Sequence, residues 1–311
     1  MTHDGTPYGT HGKTPYGTET GTGTGTGTGP RTGTGPRTGT GTGTGTGRGL
    51  DHDGCFVREG CLERVPPEFA PVVAGLRSRI AEQFGDRLHS SYLFGSIPRG
   101  TAVPGVSDLD ALLALRDEPT GADRAAARAV EEALDTAFPE IDGAGLLLYG
   151  ADGLLSDLER HDLGWFVACL CTPLDGPDLA ARLPRYRPTS LLARETNGDL
   201  FRDLPGLRTK AAAATTGAAR SRLTRSVTRR LVRTGFTLVM PRWGGWTSDL
   251  AESAEAFGRY YPAHADQMRA AARAARSPAA YPRLLDELLS GLAPWLADEY
   301  LAVHGAKAPR P

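Results

Sequence analysis

No Leu, Ile, Val or Phe occurs in the first 49 residues, which hold 17 Gly and 17 Thr, mostly as Gly-Thr repeats. Gly loses more backbone entropy on ordering than any other residue, and this segment offers no apolar surface whose burial could compensate for that loss. We therefore predict that residues 1–49 are a disordered tail. An expanded short repeat in the DNA, or a start codon assigned too far upstream, would account for the same composition without a functional tail.

Long hydrophobic runs are also missing. The longest apolar stretch, residues 163–174, has about twelve residues, whereas a transmembrane helix needs about twenty. No apolar segment near the first residue resembles a secretory signal, and four Cys in 311 residues are too few for a disulfide scaffold. These absences predict a cytoplasmic protein with reduced thiols and no membrane partner.

An excess of positive charge is absent as well. The chain has 35 Lys and Arg against 36 Asp and Glu, and a formal net charge of −1. Neutralising many phosphates of a long nucleic acid requires a basic surface. Nucleic acid therefore ranks behind small molecules and proteins as a partner.

The remaining 262 residues can form a core, and their apolar spacing changes partway along. It predicts, in order, a helix at 69–84, strands at 88–95 and 109–115, a helix at 121–138 and a strand at 141–149. This order indicates an α/β unit. Beyond residue 153 the apolar spacing favours helices at 154–170, 207–240, 247–260, 264–276 and 281–303, with an irregular Pro-rich connection at 173–206.

We therefore expect an α/β (α+β) core with a mixed sheet at 50–152. An all-α domain is expected at 153–305, followed by a disordered end at 306–311.

One group of residues in the first half of the chain indicates catalytic chemistry. Asp108 and Asp110 are separated by one residue at the start of a predicted strand, so their side chains point to the same face. Leu109 points to the other face, which is packed. Two neighbouring carboxylates repel each other, and Mg²⁺ is their usual partner because it takes one or two carboxylates together with substrate phosphates.

The turn that follows the preceding strand complements these acids. Gly95 allows backbone to approach a ligand closely, and Ser96 offers a hydroxyl and a backbone N–H to a phosphate. Arg99, three residues later, adds a positive charge. Phosphates on one side and a metal on the other indicate nucleotide chemistry.

This pattern resembles the signature of the DNA polymerase β-like nucleotidyltransferase superfamily. In that signature an apolar residue, Gly, and Gly or Ser are followed after about nine to thirteen residues by Asp, an apolar residue, and Asp or Glu. Phe94, Gly95 and Ser96 fill its first half, and residues 108–110 fill the second. The helical half resembles the layout of small bacterial antibiotic and protein nucleotidyltransferases.

The resemblance implies transfer of a nucleoside monophosphate, AMP from ATP in the first place, to a hydroxyl with release of pyrophosphate. It also implies a catalytic centre with two Mg²⁺ ions held by carboxylates. Ser96 would bind the β- and γ-phosphates, and Asp108 and Asp110 the metals. The family has a third carboxylate on the next core strand, for which Asp142 is our first choice and Glu140 the alternative.

Two features of the second half are compatible with an acceptor site. Arginines recur on one helix face at residues 222, 225, 229 and 233, where they either contact phosphates or form a solvated face paired with acids. Trp243 and Trp246, ahead of Asp249 and Glu252, either wall an acceptor pocket or pack between helices. Such a carboxylate could act as general base toward the acceptor hydroxyl.

The predicted activity is thus Mg²⁺-dependent nucleotidyl transfer to a small molecule or a protein. The alternative is a nucleotide-binding regulatory or toxin–antitoxin partner with little or no turnover on the same fold.

Overall fold

The computed structural model describes residues 48–278, 281 and 283–310. Its centre is a mixed sheet of four strands in the order β3-β2-β1-β4. The strands are β1 (Leu88–Phe94), β2 (Leu109–Leu115), β3 (Ala144–Gly150) and β4 (Thr172–Asp175). β1 runs antiparallel to both β2 and β4, and β2 runs parallel to β3.

Four helices accompany the sheet in the first half of the chain. They are α1 (Ala70–Phe84), α2 (Ser96–Arg99), α3 (Gly121–Ala137) and α4 (Ala151–Leu154). α3 begins with a capping box, in which the Thr120 side chain accepts from the Asp123 backbone N–H and Asp123 reciprocates. α1 and α3 cover one sheet face, where Leu76, Leu109 and Leu134 belong to one buried cluster.

The second half is helical. It contains α5 (Leu163–Trp165), which continues into a π-helical turn (Phe166–Leu170), and then α6 (Ser190–Asn197), α7 (Leu200–Ala213), α8 (Gly217–Trp243), α9 (Leu250–Tyr260), α10 (Ala265–Arg276), α11 (Leu284–Ser290) and α12 (Leu292–His304). Short 3₁₀ turns occur at Leu62–Arg64, Pro67–Phe69, Gly85–Arg87, Leu179–Arg182 and Pro262–His264. These helices pack on the other sheet face through a second cluster that includes Phe94, Leu112 and Phe236.

The expected fold class is confirmed: a mixed sheet with helices precedes a helical region. The division at residue 152 stays a prediction, but the sheet extends past it, because β4 comes from residues 172–175 and pairs with β1. The sequence did not indicate β4. It has only four residues and contains Pro173, which has no N–H to donate and is tolerated here because the strand lies at the sheet edge.

The sequence predicts disorder at both ends of the chain. Residues 1–47 lie outside the described residues, and Arg48 and Gly49 pack against Trp246. The expectation of disorder at 306–311 stays a prediction, but residues 306–310 are described and make specific contacts. Lys307 and Arg310 form ion pairs with buried acids of the helical region, contacts between residues more than 100 positions apart that local composition does not reveal.

Candidate active site

The turn after β1 adopts the conformation that the motif requires. Gly95 has φ +82°, in the left-handed region that favours glycine. A Cβ at this position would lie 2.9 Å from Oδ2 of Asp110. The glycine thus lets the Asp110 carboxylate come close to the backbone of the turn. Ser96 follows at the start of α2, and its buried hydroxyl has no hydrogen-bond partner among the described residues.

The sheet register brings the two halves of the motif together. Phe94, the last residue of β1, pairs with Asp110 on β2. Asp110 alternates with Leu112 and Ala114, which belong to the core shared with the C-terminal helices, whereas Leu109 packs toward α1 and α3. Asp110 therefore faces the helical half, as the alternation predicts.

Asp108 and Asp110 are both buried, at 8% and 4% exposure. Taking two carboxylates out of water costs free energy unless positive charge or hydrogen-bond donors compensate. The pair thus brings two buried negative charges close to the Ser96 turn.

The loop between the two half-motifs folds back on itself. The Val103 N–H donates to Oγ of Ser107 at 2.9 Å, the Ser107 N–H donates to the Val103 carbonyl at 3.0 Å, and the Thr101 N–H donates to the Ser96 carbonyl at 3.0 Å. Side chains of this loop consequently line the same cavity as Ser96.

Arg99 lies on the wall of that cavity together with Glu59, a carboxylate that no sequence motif indicates. Nη1 of Arg99 is 3.5 Å from Oε2 of Glu59, and the two side chains are 12% and 20% exposed. Glu59 comes from the segment ahead of α1 and belongs to no recognisable motif. Only the tertiary path of that segment brings it to the site.

The third-carboxylate expectation is not supported. Asp142 is exposed and lies in the turn before β3, where its backbone N–H donates to the Ser107 carbonyl. The strand starts at Ala144 instead of residue 141, and Ala144 packs with the α1–α3 cluster, on the sheet face opposite Asp110. The β3 residue in register with Asp110 is Gly145, which carries no side chain.

Glu140, the alternative, also lies in the turn before β3, and its Oε2 is buried without a hydrogen-bond partner. Within the described part of the chain, no group of three or more His, Cys, Asp or Glu is arranged to hold a metal ion. A ligand set of three protein carboxylates is therefore not assembled there.

The helical half supplies the opposite wall of the cleft. Trp246, Thr247 and Ser248 line both cavities described below, whereas Trp243 is buried. The sequence predicts either a pocket wall or packing between helices for this segment. Trp246 forms part of the wall, and Trp243 is packed in the interior.

The acids after Trp246 already have partners. Asp249 accepts from the Glu252 backbone N–H and from Nη2 of Arg276, both at 2.8 Å, and the Glu252 carboxylate accepts from the Thr247 hydroxyl at 2.5 Å. These contacts cap α9 and tie it to α10. They leave the two acids poorly suited to a proton-transfer role.

The predicted arginine row on α8 is not one solvated face. Arg222 is exposed, Arg229 is buried, and Arg233 lines the smaller cavity. The row therefore runs from the surface toward the cleft.

The cleft consists of two cavities with shared walls. The larger measures about 470 Å³, within the range of small-molecule sites, and is lined by Ser96, Thr101 and Ser107 among others. The smaller, about 30 Å³, adjoins Phe94 and Gly95. Both are bounded by Glu59, Arg99, Trp246, Thr247 and Ser248.

Comparisons with known proteins identify no family. No family model and no curated protein matches the sequence. A solved structure that resembles this one is the crystal structure of spectinomycin adenyltransferase AAD(9) from Enterococcus faecialis with ATP and spectinomycin. The TM-score is 0.45 with 12% identical residues, over 74% of this chain and 98% of that one. A likeness at this level assigns neither substrate nor activity. None of the described helices is long and apolar enough to span a membrane.

Proposed function

We propose that this chain binds a nucleoside triphosphate together with Mg²⁺ in the cleft and transfers the nucleoside monophosphate to a hydroxyl, releasing pyrophosphate. The observation that carries the proposal is the Gly95-Ser96 turn. Ser96 lines a cavity of about 470 Å³, and its buried hydroxyl has no hydrogen-bond partner among the described residues. The two buried carboxylates, Asp108 and Asp110, lie where the neighbouring strand pairs with the end of β1.

The residues of the site fit Mg²⁺ carried by a triphosphate. Mg²⁺ is held in proteins by one or two carboxylates plus phosphate oxygens and water, and Asp108 and Asp110 would supply the carboxylates. Bound there, Mg²⁺ supplies positive charge to the phosphate oxygens. β3 offers no third carboxylate for the second ion of a two-metal centre, because the residue in register with Asp110 is Gly145.

The chain's own residues would hold the triphosphate for in-line transfer. The Ser96 hydroxyl and the backbone of the turn would bind the β- and γ-phosphates, and Arg99 would add charge. The acceptor oxygen forms a bond to the α-phosphorus while the bond from the α-phosphorus to the bridging oxygen breaks. Pyrophosphate leaves with that electron pair, and the acceptor proton passes to a base.

The size of the cleft favours a small-molecule acceptor over a protein or nucleic acid. The cavity is comparable to sites for drug-sized ligands, and Trp246, Thr247 and Ser248 give its helical wall one aromatic and two hydroxyl side chains. ATP is the proposed donor.

Binding of a non-hydrolysable ATP analogue, measured by calorimetry with and without Mg²⁺, tests the proposal on the full chain. We expect Mg²⁺-dependent binding that weakens at least about tenfold, or about 1.4 kcal/mol, in Asp110→Asn. Asp142→Asn is the matched control, since the same change in an exposed turn should leave affinity within about twofold. Equal binding by Asp110→Asn, in protein shown by circular dichroism to be folded, contradicts the proposed site. Absence of binding by the wild type contradicts nucleotide chemistry altogether.

One observation favours a second candidate. A nucleotide-binding regulatory or toxin–antitoxin partner with little turnover needs no third carboxylate, and Gly145 leaves β3 without one. Tight Mg²⁺-dependent nucleotide binding without pyrophosphate release, across an acceptor screen, would favour this candidate.

A further inference from the structure

Residues 48–61, which we call the strap, connect the helical half to the motif. The Trp246 N–H donates to the Arg48 carbonyl at 2.8 Å, and the Phe56 N–H donates to the Tyr186 carbonyl at 2.8 Å. Farther along, the Cys61 N–H donates to the carbonyl of Pro98 in α2 at 3.0 Å. The strap thus starts on the helical side of the cleft and ends beside the Ser96 turn.

The strap is held tightly around Glu59. The Glu59 N–H donates to the Cys169 carbonyl at 2.9 Å, and Arg58 forms a two-pronged ion pair with Asp178 at 2.8 and 3.2 Å. A Cβ on Gly60 would lie 2.9 Å from the Pro98 carbonyl oxygen and 2.7 Å from Oγ1 of Thr172, so only glycine allows this close approach. The backbone at Glu59 is therefore fixed on both sides.

Glu59 lines both cavities. Gly95 lines the smaller cavity with it, and Ser96 lines the larger one. The Arg99 guanidinium at 3.5 Å balances the charge of Glu59 and orients its side chain. Glu59 is therefore a fixed carboxylate between the proposed phosphate site and the helical wall.

The cleft offers few other acids for proton transfer. On β3, the residues facing the same side as Asp110 are Gly145, Leu147 and Tyr149. Asp249 also lines the larger cavity, but it caps α9 and pairs with Arg276. Among the acids that line either cavity, Glu59 is the one whose carboxylate neither caps a helix nor ties two helices together.

We propose that Glu59, which the strap positions in the cleft, is the general base for the acceptor hydroxyl. This proposal rests on the proposed function. As the acceptor oxygen bonds to the α-phosphorus, its proton passes to a Glu59 carboxylate oxygen, and pyrophosphate leaves with the electrons of the broken bond. The base thus comes from a segment outside the sheet, on the side of the cleft away from β3.

The test is pyrophosphate release from ATP and Mg²⁺, with glycerol as the probe hydroxyl. Glu59→Gln keeps the size of the side chain but cannot accept the proton. We expect kcat to fall about 10²- to 10⁴-fold while KM for ATP and binding of the ATP analogue stay within about twofold of wild type. Glu63→Gln, the same change at an exposed position of the next turn, is the control and should match wild type.

Chemical rescue separates a proton-transfer role from a structural one. In Glu59→Ala, added formate should restore part of the lost kcat, whereas it should not change Glu63→Gln. Unchanged turnover in Glu59→Gln, or loss of analogue binding together with kcat and without formate rescue, overturns the role of Glu59 alone. If the wild type binds the analogue but releases no pyrophosphate with glycerol or with any acceptor of the screen, both the transfer reaction and the role of Glu59 as its base are contradicted, whereas nucleotide binding is retained.

Discussion

At position 95 the backbone conformation and a neighbouring carboxylate both require glycine. The φ of +82° disfavours any side chain with a Cβ, and the space that a Cβ would take is occupied by Oδ2 of Asp110. Gly305, after α12, has φ +83° and ψ −179°, close to the +82° and −153° of Gly95, and an added Cβ there would lie at an ordinary contact distance of 3.5 Å from Cδ of Arg194. Alanine substitutions at the two glycines therefore separate the free-energy cost of the backbone conformation from the cost of displacing the Asp110 carboxylate.

Gly95→Ala should therefore do more than destabilise the protein. Both Gly95→Ala and Gly305→Ala incur about 1–3 kcal/mol for a backbone conformation that essentially only glycine adopts, as urea unfolding would measure. Only Gly95→Ala should also weaken Mg²⁺-dependent binding of the ATP analogue, by about tenfold or more, because Asp110 must move. Similar binding by both variants would show that the Asp110 position is not part of the site.

At the scale of elements, the start of α3 combines a capping box with an ion pair. Asp123 accepts from the Thr120 N–H at 2.7 Å and from two nitrogens of Arg87, both at 2.9 Å. Burial alone would raise the pKa of Asp123, but the hydrogen bonds from Arg87 and Thr120 outweigh it and lower the pKa to about 2. The contact links α3 to the turn that leads into β1.

Stability should depend on the ionisation of this carboxylate. Because the folded pKa of about 2 lies below the ordinary value of 3.8, the contribution is present above pH 4 to 5 and is lost as pH falls toward about 2. With Arg87 partly exposed, we expect roughly 1–2 kcal/mol. The difference in unfolding free energy between wild type and Asp123→Asn should shrink over that range. Asp117→Asn, which removes a largely exposed carboxylate 3.6 Å from the same Arg87, should give a small difference at every pH.

At the scale of the whole molecule, the end of the chain closes the helical region. Nζ of Lys307 is 2.5 Å from Oδ2 of Asp162, and Nε of Arg310 is 2.9 Å from Oε1 of Glu159. Nη1 of Arg310 also lies 3.2 Å from Oε2 of Glu195. All five side chains are 14% exposed or less. Removing Arg310 would take away the cation that pairs with Glu159, whereas Glu195 would keep Arg194 at 2.8 Å and Asp162 would keep Lys307.

Arg310→Ala should thus destabilise the protein by about 3–5 kcal/mol, the range for a broken buried pair. Arg269→Ala is the matched comparison, because its partners Glu255 and Asp266 are 54% and 100% exposed, and we expect less than about 1 kcal/mol. Thermal and urea unfolding would measure both. Equal effects would mean that residues 306–310 add little to the stability of the fold.

Features that arise from contacts between near neighbours could be predicted from the order of the amino acids. The bounds of β2 agree with the predicted strand, α3 begins at the predicted residue 121, and the spacing from Gly95-Ser96 to Asp108 and Asp110 indicated the candidate site. Apolar spacing, side-chain alternation and capping each act within a few residues, so they can be read along the chain.

Features that depend on contacts between distant segments appear only in the folded chain. The fold joined β4 to β1 across about 80 residues, left Asp142 in an exposed turn with Gly145 in register with Asp110, and brought Glu59 against Arg99. Strand register and packing between residues 40 to 200 positions apart carry no local periodicity. For that reason the Gly95-Ser96 turn could be recognised in the sequence, whereas the proposed base Glu59 could not.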